Sequence, residues 1–556
     1  MAFVITQSCC ADASCVSVCP VNCIHPTPDE PDFGTTDTLY VDPAVCIDCG
    51  ACADACPVKA IVPADILRGD ARRFIDINAQ FYDTPRDETA WTAPSFTHSM
   101  DTDGEPLRIA IVGSGPAASY TARHLLTTTT CDVAIFERLP IPGGLLREGV
   151  APDHGSTKAM ASAFRWVYAH PRTSTYFNVE VGKDISLAEL RQRFHAVIYG
   201  VGARGANTVG FVGEADPAVV HAGDVVGWYN GRPSEPGVAP FAMPLDRERV
   251  VVIGNGNVAL DVARTLLAPV ESLANTDMPA GVVEQLRHSK VREVVVLGRR
   301  APKFAAFTRP ELLMLPETAS CDVVIEDQPG IREEIAELTE VRHQVLASLP
   351  VVPIDLTSPP APGKRIVLGF DTTIAQVVQG QVSLRRTQDA AAGDGMPPQE
   401  FAIGAATVVL ANGFRVLPQP GLPYDEVTHR IPQRDGRVID PSTGTPIPGV
   451  YLVGWTKRGA VGGLGKNRLD SESTINAVLE DANAGLLKKP TMGWLAFRRL
   501  INSRTDVVTA RRALHVLDRE EKAGRKVGRP REKFVSTDEL LAASRLLPRR
   551  DRTPIG

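Results

Sequence analysis

Two stretches, Arg108-Ile-Ala-Ile-Val-Gly-Ser-Gly-Pro-Ala-Ala118 and Val250-Val-Val-Ile-Gly-Asn-Gly-Asn-Val-Ala259, decide the fold. Each is a run of buried-strand residues that enters G-x-G-x-x-A and goes on as a helical pattern, through Leu126 in the first case. Gly113 and Gly115 in the first, and Asn255, Gly256, Asn257 and Val258 in the second, form the turn. Glycines there permit a tight bend and let the backbone approach a pyrophosphate at the helix N-terminus. One such fingerprint is weak; two, about 140 residues apart, predict a chain with two Rossmann-like dinucleotide-binding domains.

The strand after each fingerprint refines the reading. Asp132-Val-Ala-Ile-Phe-Glu137 ends on Glu137, where an acidic side chain holds a ribose hydroxyl. Glu293-Val-Val-Val-Leu-Gly298 instead ends on Arg299-Arg300. An acid at that offset repels a 2′-phosphate, whereas a guanidinium pairs with it, so the second site is expected to take NADP(H) rather than NAD(H). The chain of 556 residues is too long for one core, and three or four domains are expected. Hydrophobic residues at 44% and charged residues at 22% are the balance of an ordinary soluble protein. The sequence lacks the roughly eighteen uninterrupted apolar residues of a membrane helix, and its start lacks a basic region before an apolar one. A cytoplasmic location and no membrane partner are expected.

The net charge of −6 hides an asymmetry. Residues 1–84 carry twelve acidic and four basic side chains, and residues 486–556 carry eighteen basic and eight acidic ones. The acidic head suits basic partners; the basic C-terminal extension reads as a solvated helical face. Val527-Gly-Arg-Pro-Arg531 faintly resembles a minor-groove hook, but one loose basic tripeptide is common by chance, and no nucleic-acid partner is expected.

Nine of the eleven cysteines precede residue 57. In a reducing compartment such crowding means metal, not disulfides. Cys46-Ile-Asp-Cys49-Gly-Ala-Cys52-Ala-Asp-Ala-Cys56-Pro57 has the spacing that wraps three thiolates around one iron–sulfur cubane and sends the fourth to another cluster. Zinc ribbons favour paired knuckles instead. Cys9-Cys-Ala-Asp12-Ala-Ser-Cys15-Val-Ser-Val-Cys19-Pro20 keeps the same frame with Asp12 at a middle position. It resembles the seven-iron bacterial ferredoxins. That resemblance assigns Cys9, Cys15 and Cys56 to a [3Fe–4S] cluster and Cys19, Cys46, Cys49 and Cys52 to a [4Fe–4S] cluster. Cys10 is the alternative fourth ligand, which would give a second [4Fe–4S] cluster, and Cys23 is read as a packing residue.

Leu139-Pro-Ile-Pro-Gly-Gly-Leu-Leu-Arg-Glu-Gly-Val-Ala-Pro-Asp-His154 resembles the adrenodoxin-reductase family of ferredoxin–NADP reductases. The resemblance implies FAD in the first site, touched by Ala117, Glu137, Leu145 and Val181. Gly144 departs from the family, which places a bulkier residue there. Gly454-Trp-Thr-Lys-Arg-Gly-Ala-Val-Gly-Gly-Leu464 matches the family's later motif, with Ala460 and Val461 in place of Pro-Thr. It implies Trp455, Gly462, Gly463 and Leu464 at the flavin ring, and carry-over adds Glu311 beside His154 as the proton-handling pair. The joined order resembles the mycobacterial-type fused ferredoxin/reductase.

The expected fold class is therefore α/β, glutathione-reductase-like, preceded by a small α+β bacterial ferredoxin domain. Expected boundaries are 1–81 for the ferredoxin domain, 82–106 for a linker, 107–245 with 404–485 for FAD binding, 246–403 for NADP binding, and 486–556 for the extension. NADPH gives electrons in pairs, clusters take them singly, and FAD mediates. The expected activity is a ferredoxin–NADP(+) reductase serving a one-electron acceptor such as a ferredoxin or cytochrome P450. The rivals are an electron-input subunit like the small subunit of glutamate synthase, and a cluster-based redox sensor.

Overall fold

The computed structural model describes residues 2–84, 106–387 and 400–545. Nearly all of the expected linker, 82–106, and the last residues of the extension lie outside them.

The first fingerprint strand, Arg108–Val112, is central in a seven-stranded sheet. It runs parallel to Asp132–Glu137 on one side and Ala196–Tyr199 on the other. Thr173–Phe177 and Pro446–Leu452 extend the parallel part, and Arg437–Ile439 and Gln433–Arg434 close one edge antiparallel. Ile109, Ala110 and Ile111 are fully buried because apolar layers cover both faces, which is why the strand reads as an unbroken apolar run.

The second sheet is wholly parallel, in the order Val219–His221, Thr407–Leu410, Arg249–Ile253, Glu293–Leu297, Arg365–Gly369, Asp322–Glu326, Val351–Val352. A three-stranded antiparallel unit, Thr372–Val378, Gln381–Arg386 and Glu400–Ala405, hangs from it. This pairing differs from the sequence reading. Ala406–Ala411 is expected to reopen the first nucleotide half, yet Val408 and Val409 pair with Val251 and Val252 of the second. Val219–His221, expected in the first half, joins the second sheet too. The chain leaves and re-enters through a short antiparallel ribbon, Gly205–Ala206 against Phe414–Arg415, so the crossing lies there rather than at 245 and 404. A buried apolar strand carries no local mark of which parallel sheet it will join, since its partners are far away in sequence.

In the head, Phe3–Ile5 pairs with Ile61–Pro63 and Ile24–His25 with Tyr40–Val41. Helix Arg73–Gln80 locks the two ribbons together through one buried amide. Asn78 Oδ1 accepts from Ile5 N (3.1 Å) and Val41 N (2.9 Å), and its Nδ2 donates to Ile5 O and Phe74 O.

The C-terminal extension is not a solvated tail. Phe497, on helix Trp494–Asn502, is fully buried against Phe136, Tyr176 and Phe194 of the first half. Val508 exchanges backbone hydrogen bonds with Phe177. Helix Ala510–Lys526 buries Ala513, Val516 and Glu520, the last in a paired ion bridge to buried Arg147. Its basic residues hide this stripe at the level of composition. The hook-like tripeptide is docked as well: Arg529 donates to Thr276 O and Met278 O of the second half.

Candidate functional site

Three sets of residues converge: two nucleotide clefts and a thiol-rich head lying across them. In the first cleft, Gly113 has φ +104°, and an added Cβ would stand 2.5 Å from Gly200 O, so no other residue fits the turn. Gly144, where the family pattern is bulkier, has φ +50°, and a Cβ there would reach 2.7 Å from Gly115 Cα. The 143–144 turn presses on the fingerprint loop, which accounts for the glycine. Gly115 and Gly463 carry open backbone, with nothing within 4 Å of a Cβ on Gly463 and only Gly144 Cα, at 3.8 Å, near one on Gly115. Glu137 is buried at the strand end. Its Oε2 accepts from Ser114 N (3.1 Å) and Oγ (2.7 Å), and its Oε1 from Leu139 N (3.0 Å). Ala117 lies in the first turn of helix Pro116–Thr128, and Val181 is buried nearby in sequence to the strand Thr173–Phe177. Leu145 opens the short helix Leu145–Glu148 and is partly exposed. Trp455 Nε1 donates to Gly462 O (3.1 Å), which fastens the Gly462–Leu464 loop. Open backbone, a helix N-terminus and a fixed carboxylate fit an FAD dinucleotide.

In the second cleft, Asn257 trades hydrogen bonds with Thr308: Asn257 Oδ1 accepts from Thr308 N (2.8 Å), and Nδ2 donates to Thr308 Oγ1 (3.1 Å). Asn255 Oδ1 accepts from Ala306 N (3.3 Å). These bonds tie the fingerprint loop, with Gly256 and Val258, to helix Arg309–Ala319, which carries Glu311. Arg299 and Arg300 are exposed, and the Arg300 guanidinium lies 4.9 Å over the Phe304 ring. Two exposed cations on this rim fit a 2′-phosphate.

Between the clefts lies a charged cluster the sequence reading only half anticipates. His154 Nε2 is 3.7 Å from Glu311 Oε2. Arg264, 1% exposed, reaches both: Nη2 is 3.0 Å from His154 Nε2, and Nη1 is 3.6 Å from Glu311 Oε2. Arg264 is held by Asp153 (2.6 Å) and Asp261 (2.7 Å). Burial pushes the Glu311 carboxyl above its usual range, against the pull of His154 and Arg264. Burial would raise Asp153 too, but the Arg264 guanidinium outweighs it and holds Asp153 low. The i,i+3 pair Asp261/Arg264 on the fingerprint helix was the available sequence signal.

In the head, Cys15, Cys19 and Cys52 are buried, Cys9, Cys46 and Cys56 half-buried, and Cys49 exposed. Burial pushes the Cys9 and Cys52 thiols up to about 11. Such thiols ionise only when a cation compensates, and soft thiolates are the donor set for iron. Backbone amides already point at sulfur, from Ala11 to Cys9 (3.4 Å) and from Ala60 to Cys56 (3.3 Å). The Cys23 sulfur lies 3.5 Å from Cys19 Sγ, and this sulfur–sulfur contact lowers the Cys19 thiol from its usual range. The Asp12 carboxylate is turned onto Ser14 N (3.1 Å), Ser14 Oγ (2.6 Å) and Tyr120 OH (3.2 Å).

Tyr120 belongs to the first nucleotide half, so Asp12 is also an anchor between domains. Arg468 Nη1 donates to Asp12 O (2.7 Å). Any side chain at Gly465 would run into the Cys10–Ala11 backbone. Cys9, Cys10 and Cys56 pack on the same core as Leu464, whereas Ile47, at 58%, and Cys49 are exposed. The first set of thiols thus faces the cleft loop, and part of the second faces outward.

Comparisons with known proteins agree with this layout. Residues 8–60 match a family model described as a 4Fe-4S dicluster domain, and residues 111–178 match an NAD(P)-binding Rossmann-like domain. The chain is 41% identical to a probable ferredoxin/ferredoxin–NADP reductase of Mycobacterium tuberculosis, over 99% of this chain and 96% of that protein. It is 33% identical to human mitochondrial NADPH:adrenodoxin oxidoreductase, over 81% of this chain and 95% of that one. A solved structure of Mycobacterium tuberculosis FprA in complex with NADPH matches with a TM-score of 0.69 at 35% identity, covering 79% of this chain and all of that chain.

Proposed function

This chain belongs to the family of fused ferredoxin/ferredoxin–NADP reductases, and from that membership we propose a route from NADPH through FAD to the head and on to a one-electron acceptor. The single observation that carries the route is the seat of the head, with Cys9, Cys10 and Cys56 against the core that holds Leu464, and Cys10–Ala11 closed onto Gly465. When bound, FAD takes the electron pair of a hydride and releases it singly, and iron–sulfur clusters carry single electrons.

The chain's own residues do the rest. Gly113, Gly115 and the N-terminus of helix Pro116–Thr128 hold the FAD pyrophosphate, and Glu137 holds its ribose. Gly256 and the Asn257–Leu267 helix do the same for NADPH, while Arg299 and Arg300 grip its 2′-phosphate. Trp455 and the loop it fastens wall off the ring end of the first cleft. Arg264 Nη2 lies 3.0 Å from His154 Nε2 and Glu311 Oε2 lies 3.7 Å from the same nitrogen, so His154 and Glu311 can pass a proton between them, with burial raising the Glu311 carboxyl. Cys9, Cys15 and Cys56 suit a three-iron cluster, since Asp12 is occupied by Ser14 and Tyr120. Cys19, Cys46, Cys49 and Cys52 suit a four-iron cluster. The acceptor is a basic protein of the ferredoxin or cytochrome P450 class, and the location is the cytoplasm, where thiols stay reduced. Among the described residues no helix is long and apolar enough to cross a membrane.

An anaerobic NADPH titration followed by absorbance and EPR tests the whole route. Flavin bleaching followed by cluster reduction is expected. A flavin that bleaches while the cluster signals stay unchanged would sink it.

A further inference from the structure

Helix Arg309–Ala319 belongs to the second nucleotide half, yet the head touches it at three levels. At its start, Asp37 Oδ2 accepts from Arg309 N (2.9 Å), the first-turn amide that no side chain of the helix's own half bonds. Pro310 has no amide to offer, so a carboxylate supplied by the head caps this end and also meets the positive end of the helix. One step along, Gln7 Nε2 donates to Glu311 Oε2 (3.0 Å). At the far end Asp70 N donates to Glu317 Oε2 (3.3 Å). Arg342, on the short helix Val341–Gln344, pairs with the same Asp37 at 3.6 Å.

We propose that the head completes the His154–Glu311 site, with Gln7 as a positioning residue for Glu311 and Asp37 fixing the helix that carries it. This rests on the reductase reading and extends it: the head serves as a wall of the site beside the NADPH cleft as well as a carrier. Glu311 faces His154 from the 151–154 loop, Arg264 and Asp261 from the fingerprint helix, and Gln7 from the head. Asp70 and Arg72 lie against the far end of its own helix, and Arg342 and His343 against its flank. Of these groups, Gln7 is a neutral donor and the one the head aims at the carboxylate. Its N–H favours the ionised form, in opposition to burial. Loss of that donor makes Glu311 hold its proton to higher pH.

The test uses full-length holoprotein carrying Gln7→Met, similar in length without the donor. NADPH-driven ferricyanide reduction is followed from about pH 5 to 9, with absorbance and EPR recording cluster content. The acid limb of kcat/KM is expected to move up by about one pH unit, the scale of one hydrogen bond to a charged group. Asp37→Asn keeps Gln7 but weakens the cap, and is expected to move the limb the same way by less; it also serves if Gln7→Met loses its clusters. Superimposed profiles for wild type and a cluster-replete variant overturn the proposal. A wild type that cannot reduce ferricyanide with NADPH overturns the reductase reading together with it, which separates the two failures.

Discussion

Replacing Asp277 with Asn should loosen the clasp that joins both nucleotide halves to the C-terminal segment. Asp277 lies in the second half, Lys158 on helix Gly155–Ala163 of the first, and Lys533 in the segment after helix Ala510–Lys526. Lys158 Nζ sits 2.9 Å from Asp277 Oδ1, and Lys533 Nζ sits 2.8 Å from Oδ2. Both ammoniums also donate to Asn230, one to its side chain and one to its carbonyl. Two buried cations therefore share one carboxylate. Burial pushes both lysines below their ordinary range, Lys533 most; burial opposes ionisation of Asp277 as well, but the two lysines outweigh it and hold Asp277 low. Removing the one anion leaves two uncompensated charges, a change that costs about 3–5 kcal/mol for a broken buried pair. Lys533→Met removes the surplus cation and leaves a one-to-one pair, and should cost less than about 1 kcal/mol or stabilise.

Thermal unfolding of the holoprotein and proteolysis of the C-terminal segment measure both variants. The sign with pH follows from the directions of the shifts. A depressed carboxyl contributes stability above its unfolded value of about 3.9, lost as pH falls through the lower folded value. Depressed lysines make the native state bind fewer protons than the unfolded one, so stability rises with pH toward about 10.4. The Asp277→Asn deficit should accordingly shrink in alkaline buffer. If Lys533→Met proves as damaging as Asp277→Asn at neutral pH, the charge argument is wrong and the contact is a matter of packing.

Replacing both Arg299 and Arg300 with neutral residues should raise the KM for NADPH about tenfold to a hundredfold and leave NADH little changed, since hydrogen bonds to charged groups contribute about 1.5–3 kcal/mol; an unaltered preference would place the 2′-phosphate elsewhere. The isolated protein should hold about seven irons and give an oxidised three-iron EPR signal, whereas eight irons without that signal would mean that Cys10 or Asp12 completes the first cluster. A chain starting near Glu105 should still reduce ferricyanide with NADPH but lose most cytochrome c reduction until an external ferredoxin is added; equal cytochrome c rates for both forms would show that the head is bypassed. Raising salt should slow full-length transfer to a basic acceptor, because the head is acidic.

Local chemistry was legible in the sequence, and contact across domains was not. The fingerprints and cysteine runs can be read because a turn into a helix and three thiolates on one loop each fit within a dozen residues. The strand Thr407–Leu410 misleads for the opposite reason: its apolar run says buried, and only its pairing with Arg249–Ile253 says where. The extension misleads in the same way, because packing residues such as Phe497, Val508, Val516 and Glu520 are scattered among many basic ones. Gln7 and Glu311 are 304 residues apart, and neither is unusual in its own stretch. An uncharged amide beside a cysteine loop signals nothing by type; it matters because the head seats on helix Arg309–Ala319. A fused head can place such a side chain permanently against the site, at an effective concentration a separate ferredoxin would have to reach by diffusion. On this argument, added free ferredoxin should restore electron transfer to the truncated chain at lower concentration than it restores the acid limb of its pH profile. Recovery of both at one concentration would mean that docking and the proton site respond to a single binding event, with no separate contribution from the tether.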